Sequence, residues 1–209
     1  TRRIILNKVG LILLFCAQCL LSACSPIKTP VTNQYKLAAF SNKQLASNAA
    51  HQSILVTTPD AVAGYQTEQM LYIQKPFELS SFAKNAWIDP PADMLFPLIV
   101  QSLQRSGYFY AVASTPHSEQ TDYRLDTQLI ALQQNFLRKP SVLDLVVKVT
   151  LTHVSDNRVV ASKVISQQVC CPMDTPYGGV IAANRATENL TAEIANFVVN
   201  HVRQDNSHR

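Results

Sequence analysis

YRLDTQLIALQQNFLRKPSVLDLVVKVTL, residues 123–151, carries the pattern from which the fold is read. Tyr123, Leu125, Thr127, Leu129 and Ala131 alternate with Arg124, Asp126 and Gln128; further on, Leu143, Leu145, Val147, Val149 and Leu151 alternate with Asp144, Lys148 and Thr150. Successive side chains of a strand point to opposite faces, so a period of two puts one face in a core and the other toward water. Asp156-Asn157 predicts a tight turn into another strand over residues 158–169.

Outward from this pair of strands the period changes. Pro172, Pro176, Gly178 and Gly179 break the sheet pattern, and residues 180–202 return to helical spacing, with Ala183, Ala186, Leu190, Ile194, Phe197, Val198 and His201 along one stripe. On the N-terminal side, Trp87-Ile88-Asp89-Pro90-Pro91 reads as a strand exit: Asp89 is placed to cap a helix and Pro90 to occupy its first position. Met94, Leu95, Leu98, Ile99, Ser102 and Leu103 continue that helix to about residue 106, and Gly107 stands where a C′ glycine belongs. Trp87, between strand and helix, is read as a plug for the end of the core. Further strands are predicted at 35–37, 54–57 and 108–113, and a hairpin at 70–74 and 77–82 around Lys75-Pro76. The economical arrangement is α+β, a single domain with an antiparallel or mixed β-sheet and two main helices packed on one face.

The N-terminus carries a different signal. Arg2, Arg3 and Lys8 precede the apolar run VGLILLFCAQCLL at 9–21, too short to span about 30 Å of hydrocarbon and followed by small residues. Leu21-Ser22-Ala23-Cys24 resembles the lipobox of bacterial lipoproteins, which implies a signal peptide over 1–23 and acylation of the Cys24 thiol. Ser25 follows, where lipoproteins kept at the inner membrane commonly have Asp, so the resemblance implies the periplasmic face of the outer membrane. SPIKTPVTNQ, 25–34, with two prolines, no aromatic residue and little to bury, reads as a tether; extended at about 3 Å per residue it reaches roughly 30 Å. The expected organisation is therefore signal 1–23, lipidated N-terminus and tether 24–34, a folded domain 35–202 and a polar tail 203–209. Three of the 18 Lys and Arg and none of the 14 Asp and Glu lie in the signal, so residues 24–209 carry 15 cations against 14 carboxylates. No basic field points to nucleic acid.

A series of short motifs resembles the ABC-type transport auxiliary lipoproteins, which accompany transporters whose periplasmic subunits carry mammalian-cell-entry (MCE) domains. These are Tyr35-Lys36-Leu37, Ile54-Leu55-Val56, Met70-Leu71-Tyr72, Trp87-Ile88-Asp89-Pro90-Pro91, Leu103-Gln104-Arg105-Ser106-Gly107, Leu125-Asp126-Thr127-Gln128-Leu129 and the Ala-rich helix over 182–199, in that order. Two features depart from the series: vicinal Cys170-Cys171, and the Lys43-Gln44-Leu45 stretch after the first strand. The resemblance implies a membrane-anchored, non-catalytic adaptor in a lipid or hydrophobic-solute transport system, with an MCE-domain subunit as partner. The alternative is an outer-membrane assembly or lipid-binding lipoprotein independent of an ABC transporter, which would need an apolar pocket large enough for acyl chains.

Nothing in the residues predicts an enzyme. His51 and His117 fall in polar loops, His201 and His208 near the tail, and His153 at a sheet end; no serine has a Gly-x-Ser-x-Gly setting and no P-loop is present. No catalytic residue, metal site or cofactor is expected beyond the covalent lipid on Cys24. For Cys170 and Cys171 three states stay open: a strained vicinal disulfide, two free thiols, or a bond to another chain. Adjacent ligands without a nearby Cys or His pair do not complete a metal tetrahedron.

Overall fold

The computed structural model describes residues 33–117 and 119–207. The expected signal peptide, Cys24 and the expected tether up to residue 32 lie outside the described residues. Among the described residues nine strands form one sheet: β1 (Asn33–Tyr35), β2 (Ala50–Val56), β3 (Asp60–Ala61), β4 (Gln69–Lys75), β5 (Glu78–Trp87), β6 (Phe109–Ser114), β7 (Tyr123–Asn135), β8 (Val142–His153) and β9 (Arg158–Cys170). Among the described residues two helices accompany it, α1 (Pro91–Arg105) and α2 (Pro176–Ser207).

β7 is the spine. Along one edge it pairs in succession with β2, β3 and β4, all parallel; along the other it pairs antiparallel with β8, which pairs antiparallel with β9. β6 joins β2 in parallel, β5 joins β4 as the antiparallel hairpin partner, and β1 joins β5 in parallel. The sheet is therefore mixed, and the expected α+β domain with two main helices is found.

The alternation works as read on the first half of β7, where Tyr123, Leu125, Thr127 and Leu129 are buried. It then changes phase. A bulge between Leu129 and Ala131 inserts one unpaired residue, so Leu132 and Gln134 turn inward and Ala131, expected in the core set, is only half-buried. One extra residue on one strand flips every side chain beyond it. On β8, Leu143, Leu145, Val147, Val149 and Leu151 hold their phase and form the centre of the core with Leu190, Ile194 and Val198 of α2 and Leu95, Ile99 and Leu103 of α1. Trp87 is buried as expected.

The ends of elements differ from the sequence reading for local reasons. α1 takes Pro90, not Asp89, as its N-cap residue, and no side chain caps it. The Asp93 and Met94 N–H groups donate to the Pro90 carbonyl, and the two prolines have no N–H to satisfy. α2 begins at Pro176 rather than near Gly179, because Thr175 supplies the cap: its hydroxyl accepts from Gly178 N–H at 3.1 Å and its carbonyl from Gly179 N–H at 3.0 Å. The same helix runs on to Ser207, so the first part of the expected polar tail is helical, held where Arg158 and Tyr123 bind Asp205. β1 starts at Asn33, two residues inside the expected tether.

Candidate functional site

The residues singled out in the sequence do not meet at one centre. Cys170 is exposed at the end of β9 and Cys171 is buried, both as free thiols, so no bridge joins them here. Consecutive residues leaving a strand point apart, and the Cys171 N–H is held by the Ser141 carbonyl at 2.8 Å. Burial pushes the Cys171 thiol up from its ordinary pKa, which keeps it protonated and a poor nucleophile.

His153 does acquire partners that the sequence did not announce. It is buried at the end of β8, with Nδ1 2.7 Å from Asp156 Oδ1 and 3.2 Å from Ser155 Oγ, and with the Tyr123 ring edge-on to it. The hydrogen bond to His153 and those from Arg158 lower the Asp156 carboxyl to about 2, so it is a carboxylate that accepts from the imidazole. Arg158 also reaches Asp205 Oδ1 at 2.6 Å, and the Tyr123 hydroxyl donates to Asp205 Oδ2 at 2.9 Å. A serine, a histidine and an aspartate thus stand together, but Ser155 and Asp156 share the same ring nitrogen. A nucleophilic triad needs them on opposite nitrogens. What the arrangement does is clamp the last turns of α2 to the β8–β9 turn.

A second set of polar contacts fastens the segment between β1 and β2 across both helices. Asn184 of α2 accepts from the N–H groups of Ala38 and Ala39 and donates to the Lys36 carbonyl; Thr191 Oγ1 accepts from Ser41 N–H. The Leu45 and Ala46 N–H groups then donate to Ser106 O at the end of α1, and Arg203 donates to Leu45 O. The unaligned Lys43-Gln44-Leu45 stretch is therefore part of a strap that closes the C-terminus of α1.

A partly open, mostly apolar cavity beside Trp87, lined by Met70, Phe82, Leu132 and Leu143 with Gln133 and Gln134, measures about 10 Å³, room for a single water. Larger hollows are open and polar-edged, such as the one between β6 and Gln120. Among the described residues no group of three His, Cys, Asp or Glu can hold a metal ion, and no helix is long and apolar enough to cross a membrane.

A mixed sheet with two helices makes this an α+β domain, and many of its buried polar side chains join one element to another. The sequence model of the family described as "ABC-type transport auxiliary lipoprotein component" matches residues 35–195, and the chain belongs to that family. No curated protein matches the sequence. Among solved structures, protein XCC0632 from Xanthomonas campestris is similar over 84% of this chain and 99% of its own, at 21% identity and a TM-score of 0.78. An uncharacterized protein is similar over 79% and 97% of the two chains, at 13% identity and a TM-score of 0.63. At these identities the likeness concerns the fold.

Proposed function

We propose that this lipoprotein-family chain is a non-catalytic adaptor of an ABC-type transport system for lipid or another hydrophobic solute, anchored through acylated Cys24 to the periplasmic face of the outer membrane and binding an MCE-domain subunit. The observation that carries the reading is the family match over 35–195, almost the whole folded domain. The geometry agrees with work done by surfaces. The His153 cluster ties two elements together, and the cavity beside Trp87, about 10 Å³, is far below the space that an acyl chain occupies.

Affinity purification of the acylated chain from detergent-solubilised membranes tests the proposal. An MCE-domain subunit should co-purify in a fixed ratio, and deletion of either gene should give the same sensitivity of the outer membrane to detergents. Recovery without any MCE-domain subunit, together with unlike deletion phenotypes, would overturn it.

A further inference from the structure

The β4–β5 hairpin ends in a feature that serves nothing inside the domain. Phe77, at its turn, is fully exposed at 107% and has a backbone φ of 66°, a left-handed conformation that suits Gly or Asn and is unfavourable for a bulky side chain. An aromatic held in strain with no internal contact to reward it points outward to a function. Leu79, the second residue beyond it, is 42% exposed. Beside the hairpin, the loop after β7 runs the same way: Phe136 N–H donates to the Ile73 carbonyl, and Leu137 follows, 50% exposed. Phe136 also meets Tyr72 and Phe82 edge-on, which gives the two loops a common aromatic base.

Cations border this apolar tip: Lys75 on one loop, Arg138 and Lys139 on the other, all exposed. Glu78, 3.5 Å from Lys75, and Asp174, whose carboxyl is lowered in part by Lys139, offset some of that charge. Exposed aromatic and aliphatic side chains ringed by Lys and Arg suit the interface of an anionic bilayer, where rings sit at headgroup level and cations meet lipid phosphates.

The path of the chain points the same way. β1 runs parallel to β5 with Asn33 opposite Asn85, so the chain enters β1 from the side on which β5 starts, which is the tip. From the Asn33 level, opposite Asn85, to Phe77 is eight residues along β5, at most about 26 Å. Nine residues separate Asn33 from Cys24, a reach of about 30 Å when extended. A bilayer holding acylated Cys24 is therefore within range of Phe77.

We propose that the β4–β5 tip and the adjoining β7–β8 loop, through Phe77, Leu79 and Leu137, insert into the surface of the anionic bilayer that carries the Cys24 anchor, so that the domain rests on the lipid in a fixed orientation. This rests on the lipid anchor of the proposed function. The test uses the acylated chain in vesicles of phosphatidylethanolamine and phosphatidylglycerol with bromine on their acyl chains, which quenches nearby tryptophan. Phe77→Trp and Leu137→Trp should be quenched severalfold more than Tyr110→Trp, an exposed position on β6 near the opposite end of the sheet. Native Trp87, 3% exposed, is common to all three and cancels. Equal quenching at the three positions overturns the inference and leaves the tip to a protein partner or a second copy. Flotation of the same samples reads the anchor separately: a chain that floats without tip quenching keeps the anchor and loses the insertion, whereas a chain that neither floats nor is quenched loses both.

Discussion

The side-chain oxygen of Asn184 accepts the backbone N–H of Ala38 at 2.8 Å, joining positions 146 residues apart in the chain. The same amide accepts from Ala39 and donates to Lys36, so one side chain of α2 supplies the polar partners of an irregular segment that has no strand ladder of its own.

Replacement of that amide should therefore loosen the strap before it unfolds the domain. Asn184→Ala removes three bonds to the segment from a half-buried site and should cost about 1–3 kcal/mol in urea unfolding. Hydrogen exchange should rise first at Ala38 and Ala39. Unchanged exchange there would mean that the strap is held by its other contacts alone.

The two helices should share a core. Leu98 of α1 and Leu190 of α2 are 5% and 0% exposed, and each truncation to Ala should destabilise by about 2–5 kcal/mol, since the surrounding side chains cannot close the space fully. Equilibrium denaturation of each variant measures this directly, and a loss below about 1 kcal/mol at either position would contradict the packing.

How much of this was legible in sequence depended on whether the controlling force was local. Period-two and helical patterning located the sheet, both helices and the buried Trp87, because those patterns are imposed by which face meets the core. The bulge after Leu129 was invisible: Leu129-Ile130-Ala131-Leu132 is apolar throughout, so nothing marks where the phase changes. The early start of α2 had a signal, Thr175 before Pro176, that the glycines behind it obscured. The clamp around His153 could not be read at all, since Asp205 comes from an end of the chain that looked like a polar tail. The exposed tip was hidden for a similar reason, as Phe77 and Leu137 are ordinary strand residues by type and only their positions beyond the ladder expose them.

Gly107 offers a test of the turn that ends α1. Its φ is 69°, and a Cβ there would stand 2.9 Å from the Ala46 carbonyl oxygen, a backbone atom of the strap. Gly107→Ala therefore meets both a left-handed backbone and a collision, and should cost about 1–2 kcal/mol or more. Thermal unfolding of the variant should show a lower midpoint, and an unchanged midpoint would mean that the strap moves away freely.

The Asp156 carboxyl should make stability fall in acid over a defined range. Its folded pKa of about 2 lies below the ordinary 3.8, so the folded state binds the proton more weakly than the unfolded chain does. The stabilisation is present above about pH 4 and is lost as pH falls toward 2. Asp156→Asn should be less stable than the parent at pH 6, and the difference should shrink through that window. A difference independent of pH would show that the His153 and Arg158 bonds to Asp156 do not depend on its charge.

The adaptor proposal makes its sharpest claim about what can be removed. If acyl chains on Cys24 hold the domain at the membrane and its surface holds a transporter subunit, geometry carries the function and no proton transfer is required. Single replacement of His51, His117 or His201 should then leave resistance of the outer membrane to detergents intact. His153→Gln should reduce it only as far as it lowers folded protein, because His153 is buried and bound to Asp156. Cys24→Ser should have a different signature: no labelling by a fatty-acid probe, no recovery with membranes, and loss of detergent resistance with the fold still intact. Three readouts keep these cases apart, namely folded amount, membrane recovery and permeability. A histidine or carboxylate variant that is folded, anchored and still bound to its partner, yet sensitive to detergents, would show that chemistry at that side chain is needed and would reopen an enzymatic reading.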